Sequence, residues 1–390
     1  MAANKKRLKE MIIGIDATNL RRGGGITHLI ELLSAADPEK HAISRIVIWG
    51  GWQLLEKLPE RTWLEKINPV ALNRGLFRRT WWQRFSLSKA ACAAGCDLLF
   101  VPGGSYAGNF KPFVIMSRNL LPFEWKELRR YRWSLLGFKL LLLRFIQSHS
   151  FRRADGVIFL TEYARESVLK VVGKNLGKTV TIPHGINPRF KMQPKAQRSP
   201  DEYTAQSPCR LIYISIIDQY KHQWHVVEAV HSLRAEGVHV KLDLVGPAYP
   251  PALRRLHDTI ARLDPKLSWV QYHGAVPYES LHQLYAMADI GIFASSCENM
   301  PNILVETMAA GLPVACSNRG PMPEVLGNAG VYFDPEQSAS IYKAIRKLIV
   351  SPSLRTEKAL ESYELAQHFS WDSCATKTFD FLEETLFKHS

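Results

Sequence analysis

Short apolar runs that alternate with helical patterns, in two successive blocks, constrain the fold of this chain more than any other sequence feature. Continuous runs rich in β-branched residues suit parallel strands that are covered on both faces. Most runs are followed by a stretch with helical periodicity, which is typical of βαβ units. The first block contains MIIGIDAT, SRIVIWG, DLLFVPGG, FVIMSRN, DGVIFLT and TVTIPHG, and the second contains CRLIYISII, VKLDLVGP, SWVQYHGAV, DIGIFASS, PVACSN and GVYFDP.

A polar, proline-bearing segment without periodicity separates the two blocks and predicts an interdomain linker. The chain has 390 residues, which suggests two cores. We therefore predict an α/β protein with two doubly wound Rossmann-like domains that face each other across a cleft. The predicted ranges are 1–190 for the first domain, 191–209 for the linker, 210–369 for the second domain, and 370–390 for a C-terminal helix that crosses back onto the first domain.

The composition and charge of the chain indicate what kind of partner it binds and where it is located. An apolar content of 46% is typical of a globular protein, and a net charge of +14 favours anionic partners such as nucleotides, nucleic acid or a membrane surface. No recognition-helix or RNP-like pattern accompanies the charge, which disfavours nucleic acid. The sequence shows neither a signal-peptide pattern nor a long uncharged apolar run, so we expect a cytoplasmic protein without a transmembrane helix.

Three glycines follow the first predicted strand and open a predicted helix. Gly24 and Gly25 allow the backbone to approach a ligand, and the free amides at a helix start attract anions. The spacing is not the GxGxxG dinucleotide fingerprint. A merely flexible strand-to-helix turn is the alternative interpretation.

One lysine in the second block is placed to contact a phosphate. Lys221 lies in the loop after the strand LIYISII, near the start of the next predicted helix, where its ammonium can face an anion. A lone loop lysine is more often a solvated surface charge, and that alternative stays open on spacing alone.

The stretch CENMPNILVE carries two carboxylates, Glu298 and Glu306, with seven residues between them. Pro301 suits the first turn of a helix and Gly311 suits its end, so the spacing predicts a helix of about ten residues. A carboxylate in the second turn can accept two hydrogen bonds from a ribose diol. The alternative is that Glu is simply favoured near a helix N-terminus by the helix dipole.

The start of this helix offers further groups for a ligand. Asn302 lies one turn before Glu306 on the same face. Backbone amides from Met300 to Ile303 point out of the helix start, where a pyrophosphate or sugar hydroxyls can bind.

Taken in order, these pieces resemble the retaining glycosyltransferases of family 4, which have the GT-B fold. The resemblance covers nearly the whole chain and is most specific in the paired glutamates followed by MAAGLPV. It implies a nucleotide-sugar donor, retention of anomeric configuration and no required metal or other cofactor. It also implies that Glu298 lies beside the transferred sugar, that Glu306 binds the ribose, and that Lys221 neutralises the pyrophosphate. The implied donor-binding set is Gly24, Gly25, Asn299, Met300, Pro301, Asn302, Ile303, Glu306 and Arg319, with Lys221 and Glu298 as the catalytic residues.

Two positions depart from the family pattern. An arginine is common a few residues before the lysine, and Ile216 stands there instead. Arg319 is the candidate for the missing positive charge. A histidine is common near the reacting carbon, and Arg118 or Asn119 occupies that acceptor-side region.

Residues 73–91 mix arginines with tryptophans and phenylalanines, a composition that suits the headgroup region of an anionic bilayer. The alternative is an amphipathic helix whose aromatic side chains are core. The sequence as a whole favours a glycosyltransferase that acts on a glycan or lipid-linked acceptor, in bacterial surface-polysaccharide, O-antigen or lipopolysaccharide assembly, and is peripheral on the inner membrane face. The alternatives are a nucleotide-sugar epimerase on the same fold and a non-catalytic nucleotide-sugar-binding subunit.

Overall fold

The computed structural model describes residues 10–21, 23–131 and 134–387 and divides into two compact units. The extreme ends of the predicted first domain and of the predicted C-terminal helix lie outside the described residues. Unit 1 comprises Met1–Phe123, Trp133–Gly185 and Ser370–Ser390, and unit 2 comprises Glu124–Arg132 and Ile186–Phe369.

Seven parallel strands form the sheet in the described part of unit 1. Their order is β3-β2-β1-β4-β5-β6-β7, so the chain reverses its direction of winding between β1 and β4. Nearly every residue of the central strands is buried, which explains their continuous apolar sequences. The strands are β1 (Met11–Asp16), β2 (Ile43–Trp49), β3 (Leu64–Ile67), β4 (Leu98–Val101), β5 (Phe113–Met116), β6 (Gly156–Phe159) and β7 (Lys178–Thr181).

Helices lie between these strands, and the C-terminal helix joins them in unit 1. The first helix contacts the last one, so the end of the chain packs onto its beginning. The helices of unit 1 are α1 (Gly24–Ser34), α2 (Trp52–Leu55), α3 (Leu76–Phe85), α4 (Leu87–Ala93), α6 (Leu135–Arg153), α7 (Glu162–Val172) and α15 (Trp371–Phe387), while α5 (Trp125–Leu128) belongs to unit 2.

The described part of unit 2 contains a six-stranded parallel sheet in the order β10-β9-β8-β11-β12-β13, which reverses between β8 and β11. Its strands are β8 (Cys209–Ile214), β9 (Val240–Val245), β10 (Val270–Tyr272), β11 (Ile290–Phe293), β12 (Val314–Ser317) and β13 (Gly330–Phe333). The remaining helices are α8 (Gln223–Ala235), α9 (Pro250–Leu263), α10 (Leu281–Met287), α11 (Asn302–Ala309), α12 (Met322–Leu326), α13 (Ser338–Val350) and α14 (Pro352–Ala366).

The polar segment predicted as the linker 191–209 belongs to unit 2 and is held there by hydrogen bonds. The buried Arg355 guanidinium donates to the Gln197 side chain at 3.0 Å and to the backbone oxygen of Arg198. A Cβ added at Gly311 would lie 2.6 Å from the Met192 carbonyl oxygen, so only glycine fits where this segment crosses the end of α11. Hydrogen bonds to a buried arginine therefore order a segment that has no helical or strand periodicity.

The segment Glu124–Arg132 lies in the first half of the sequence but belongs to unit 2. The buried Tyr131 hydroxyl donates to Asp218 Oδ1 at 2.6 Å, and Arg130 pairs with Glu127 at 2.7 Å and with Glu336 at 2.5 Å. Sequence reasoning assigned this stretch to the predicted first domain. No helix in the described residues combines the length and apolar character needed to cross a bilayer.

Candidate functional site

The residues singled out in the second block lie in the loops after the carboxyl ends of β8, β11 and β12, and in helix α11, which follows β11. These strands are neighbours in the sheet, and the winding reverses between β8 and β11. Open α/β sheets bind ligands at the carboxyl ends of the strands beside such a reversal. The topology therefore places Lys221, which follows β8, and Glu298, which follows β11, at the expected binding edge of unit 2.

Lys221 is buried, so its interpretation as a solvated surface charge is wrong. Its Nζ contacts Glu298 Oε1 and lies 5.0 Å and 5.3 Å from the ring centroids of Tyr220 and Phe293. Tyr213 Oη donates to the Lys221 carbonyl oxygen at 2.9 Å, which fixes the backbone. A buried ammonium that faces a carboxylate and two aromatic rings is available to an incoming anion without reorganisation of the loop.

Hydrogen bonds join the loop after β8 to the loop after β11. The Ser296 amide donates to the Tyr220 carbonyl oxygen at 2.8 Å, and the Ser296 hydroxyl lies 2.9 Å from His222 Nε2. Gly320, in the loop after β12, has a positive φ, and a Cβ there would lie 3.8 Å from the Glu298 amide nitrogen. Three loops thus converge around Lys221 and Glu298.

The predicted helix after Glu298 is confirmed, with one change at its start. Helix α11 begins at Asn302, so Pro301 is the N-cap residue and not part of the first helical turn. The helix ends at Ala309, and Gly311 follows with a φ of 66°. Pro301 does not interrupt α11, because the helix begins after it.

Glu306 lies in the second turn of α11 and is only 4% exposed. Its Oε1 accepts a hydrogen bond from Tyr278 Oη at 3.2 Å, whereas Oε2 is buried and has no hydrogen-bond partner among the described residues. Burial raises the pKa of the carboxyl to about 8, against the lowering effect of the Tyr278 hydroxyl. A buried carboxyl group with one unused oxygen is suited to a ligand that brings hydroxyl donors.

The segment between the two glutamates forms a mostly buried wall beside them. Asn299 and Met300 are 7% and 8% exposed, and Pro301 is also buried, while Asn302 and Ile303 are partly exposed. Five of the predicted donor-binding residues are therefore brought together in one short stretch of unit 2.

Arg319 is engaged elsewhere in the described structure. Its Nη2 lies 2.7 Å from Asp334 Oδ2, and its side chain is 43% exposed. Ile216, which stands at the position of the family arginine, is at the surface. The contacts of Arg319 therefore do not place a second cation beside Lys221.

In unit 1, Arg118 lies against the glycine-rich start of α1. Cβ atoms added at Gly24 and Gly25 would lie 3.7 Å and 3.4 Å from the nitrogens of its guanidinium. Arg118 Nη1 is buried and has no hydrogen-bond partner among the described residues, and burial lowers the pKa of the guanidinium to about 10. Asn119 instead accepts a hydrogen bond from the Leu121 amide at 3.2 Å. The glycines and Arg118, which the sequence singled out separately, are therefore adjacent in the structure and form one positively charged region.

A cluster of aromatic rings beside this positively charged region was not predicted from the sequence. The buried His28 ring lies 4.5 Å from the His184 ring and 5.8 Å from Trp371, the first residue of α15. Burial lowers the pKa of His28 well below its usual range, and the charges of His184 and Arg118 add to the effect. The available signals were a histidine three residues after Gly25 and the histidine of IPHG.

One group of possible metal ligands occurs among the described residues. His41, Asp380 and Glu383 place one ligand atom each within 4.8 Å of one another. His41 Nδ1 lies 3.2 Å from Asp380 Oδ1, so a direct contact between the two side chains accounts for their proximity. These residues belong to unit 1 and include none of the predicted donor-binding residues.

The basic aromatic surface of residues 73–91 is largely solvent-exposed. Phe77 and Trp81 on α3 are 77% and 57% exposed, and Phe85 is also exposed, so these three aromatics are not core residues. A groove of about 520 Å³ runs beside them and includes Arg74 and Arg78 in its lining. The side chain that α3 buries is Gln83.

Comparison with known proteins finds a matching family model and a similar glycosyltransferase. Residues 208–351 match the family model described as Glycosyl transferases group 1. The O-antigen chain mannosyltransferase B of Escherichia coli is 36% identical over 112 residues, which cover 29% of this chain and 29% of that protein.

Two solved structures resemble the chain over almost its full length. The sucrose-phosphate synthase of Thermosynechococcus elongatus has a TM-score of 0.75 at 18% identity, covering 97% of this chain and all of that one. Anabaena HepE in complex with UDP-glucose has a TM-score of 0.65 at 18% identity, covering 97% of this chain and 99% of that one. Likeness at this level of identity shows the fold, and the predicted GT-B fold is confirmed.

Proposed function

We propose that this protein is a retaining glycosyltransferase, because residues 208–351 match the family model of the group 1 glycosyl transferases. It transfers a sugar from a nucleotide-sugar donor to a hydroxyl group of a glycan or lipid-linked acceptor. The observation that carries the proposal is the buried Lys221–Glu298 contact, which lies where the winding of the unit 2 sheet reverses. That edge is where an open α/β sheet binds its ligand.

The donor is proposed to lie along the stretch from Glu298 to Glu306. Its diphosphate faces Lys221 and the amides near the start of α11, where a fixed positive charge stabilises the departing phosphate. Its ribose hydroxyls donate to Glu306, whose Oε2 is unused. Anabaena HepE binds UDP-glucose with the same fold, which supports a nucleotide sugar as the donor class.

The reaction is proposed to need no divalent cation and no protein base. A departing diphosphate needs its developing charge neutralised, and Lys221 with helix-terminal amides can supply that in place of a metal. Glu298 is already paired with Lys221, so it is better suited to hold the sugar and the ammonium than to accept a proton. In a front-face retaining reaction the departing phosphate itself can take the acceptor proton.

On the acceptor side, we assign Arg118 to an anionic or hydroxyl group of a substrate. Its unpartnered Nη1 lies beside the glycines at the start of α1, and a guanidinium and a helix N-terminus both favour negative charge. Asn119 is the second acceptor-side residue, but its side-chain oxygen already accepts a hydrogen bond from Leu121.

A donor panel followed by a transfer assay tests the proposed function. We expect one class among UDP-, GDP- and dTDP-sugars to raise the melting temperature, because only ligands of the native state stabilise it. With that donor and a cell-envelope extract as acceptor, the sugar should appear in a glycan or lipid fraction. Isomerised donor without an acceptor would indicate an epimerase, and binding without transfer would indicate a binding subunit. Either outcome would contradict the proposal.

The acceptor class is proposed from the exposed surface of residues 73–91. Tryptophan and phenylalanine side chains with arginine neighbours insert at the headgroup level of anionic bilayers. Placement on the cytoplasmic membrane would bring the enzyme to a lipid-linked acceptor, in O-antigen, lipopolysaccharide or other surface-polysaccharide assembly. The similarity of residues within this chain to an O-antigen mannosyltransferase supports that pathway.

Replacement of Phe77 and Trp81 by serine is expected to weaken binding to anionic liposomes at least tenfold. Each exposed aromatic ring contributes on the order of 1 kcal/mol or more when it enters the interface, and 1.4 kcal/mol corresponds to a tenfold change. Sedimentation with phosphatidylglycerol vesicles at low salt measures the effect, and added salt should weaken wild-type binding. Phe387→Ser removes another exposed aromatic residue of unit 1 and serves as the control. Equal binding of all three proteins, or none, would refute the membrane assignment.

A further inference from the structure

Unit 2 contains a cavity of about 670 Å³ at the opposite edge of its sheet from Lys221. The cavity lies at the amino-terminal ends of β8, β9 and β10, whereas the Lys221 loop follows the carboxyl end of β8. Its volume falls within the range of about 300–1,000 Å³ that small-molecule pockets occupy. The proposed donor site accounts for none of the residues that line it.

The lining of this cavity is basic. Four basic side chains and two acidic ones face it. Asp289 is engaged by Arg198 at 2.9 Å and by Lys195 at 3.6 Å. Asp243 is engaged by Arg210 at 2.9 Å and by His273 at 2.7 Å. Each carboxylate is therefore paired with an arginine, and because four cationic side chains line the cavity against two carboxylates, an excess positive charge remains for an anionic ligand.

Two of these cationic side chains have charge or hydrogen-bond donors that the described residues do not use. Lys241 is exposed and forms no ion pair with a described residue. Arg210 Nε is buried and has no hydrogen-bond partner among the described residues. A buried donor without an acceptor costs free energy that a bound phosphate oxygen would recover.

The walls of the cavity are held in place by buried polar groups. The Asp264 carboxylate accepts hydrogen bonds from the amides of Ser268, Trp269 and Val270, each at 2.9 Å. On the other side, Arg198 stacks on the Tyr203 ring at 4.4 Å, and its backbone oxygen accepts a hydrogen bond from Arg355. Little ordering is needed when a ligand enters a preformed site of this kind.

Apolar side chains complete the lining. Leu267 and Met287 are 69% and 47% exposed, and the buried Trp269 also lines the cavity. We propose that this cavity binds a small phosphate ester that carries an apolar or aromatic ring, at a site separate from the donor site. The cations hold the phosphate, and Leu267 and Met287 cover the ring.

Phenyl phosphate is a probe for this site that lacks the ribose and diphosphate of a donor. We expect it to raise the melting temperature of the full-length protein. Its dissociation constant, measured by calorimetry, should rise at least tenfold in Lys241→Glu, because charge reversal replaces an attraction with a repulsion. Lys343→Glu, an exposed charge reversal on α13 outside the cavity, and Lys221→Ala should leave the dissociation constant unchanged.

Arg210→Lys is a second test variant, and it preserves the positive charge beside Asp243. It removes the unpartnered Nε and should weaken phenyl phosphate at least threefold. Absence of binding would overturn the proposal. So would binding that Lys221→Ala abolishes while Lys241→Glu retains it, since the probe would then occupy the donor site. Equal affinity for inorganic phosphate and phenyl phosphate would overturn the assignment of the ring.

Discussion

Lys221→Ala is expected to lower kcat/KM for sugar transfer by about 10²- to 10³-fold, the effect of removing one preorganised charge contact to a developing anion. The ammonium is buried, faces Glu298 and is fixed by the Tyr213 hydrogen bond to its backbone. A fixed, water-excluded charge acts on the departing diphosphate without solvent reorganisation. Steady-state kinetics with the donor identified in the panel measure the loss.

Two further variants separate this role from a structural one. Lys343→Ala removes an exposed lysine of α13 in the same unit and should have wild-type kinetics. Glu298→Gln keeps Lys221 while removing its carboxylate partner, and should reduce activity less than Lys221→Ala if the ammonium acts on the phosphate. Activity of Lys221→Ala within threefold of wild type would exclude Lys221 from stabilising the leaving group.

Glu306→Gln is expected to weaken binding of the donor nucleotide by about tenfold or more at pH 9, where the wild-type carboxyl group is ionised. A hydrogen bond to a charged acceptor contributes about 1.5–3 kcal/mol, and the amide can accept only at its one oxygen. Calorimetry with the nucleoside diphosphate measures the change. Glu364→Gln, an exposed substitution on α14, is the matched control. Unchanged affinity in Glu306→Gln would contradict the ribose contact.

The pH dependence gives an independent test of the same residue. Because the pKa of Glu306 is about 8 in the ligand-free protein, the carboxyl is mostly protonated at pH 7 and ionises as the pH rises to 9. Wild-type nucleotide affinity should therefore increase between pH 7 and pH 9, since the ionised carboxylate accepts two hydroxyl donors. Glu306→Gln should show no such increase.

The free energy of unfolding should change with pH in the direction opposite to the nucleotide affinity. The folded state holds the Glu306 proton up to about pH 8, whereas an unfolded glutamate loses it near 4.5, so rising pH through this window destabilises the ligand-free fold. Each pKa unit corresponds to about 1.4 kcal/mol. Glu306→Gln removes this penalty, so its free energy of unfolding relative to wild type should be higher at pH 9 than at pH 5. Urea unfolding at the two pH values measures the difference.

Much of the secondary structure follows from the apolar runs. All twelve runs that were predicted as strands form strands, because parallel strands buried on both faces need continuous apolar sequence. The strand that sequence reasoning missed is β3, whose sequence LEKI has a single buried residue, Leu64. β3 lies at the edge of its sheet, where little apolar sequence is required.

The helix of the candidate site was predictable from the sequence, whereas the contacts around it were not. The spacing from Glu298 to Gly311 locates α11 within one residue at its start. The burial of Lys221 and its contact with Glu298 depend on β8 lying beside β11, and the two residues are 77 positions apart. Local pattern carries no information on such a pairing.

Two other contacts depended on long-range packing in the same way. Tyr278, which donates to Glu306, lies in a short turn with no distinguishing sequence signal. Tyr131 lies among basic and aromatic residues in the sequence WKELRRYRW, yet it is buried against Asp218 in unit 2. Aromatic side chains with charged neighbours have the same composition whether they face a core or solvent.

The stereochemistry of the transferred sugar tests the central proposal most directly. Proton NMR of the glycoside formed from an α-linked nucleotide sugar, with EDTA present throughout, reports the anomeric configuration of the product. The proposed mechanism predicts an α-linked product formed at the same rate with and without the chelator. A β-linked product, or transfer that stops when EDTA is added, would contradict a retaining and metal-independent glycosyltransferase.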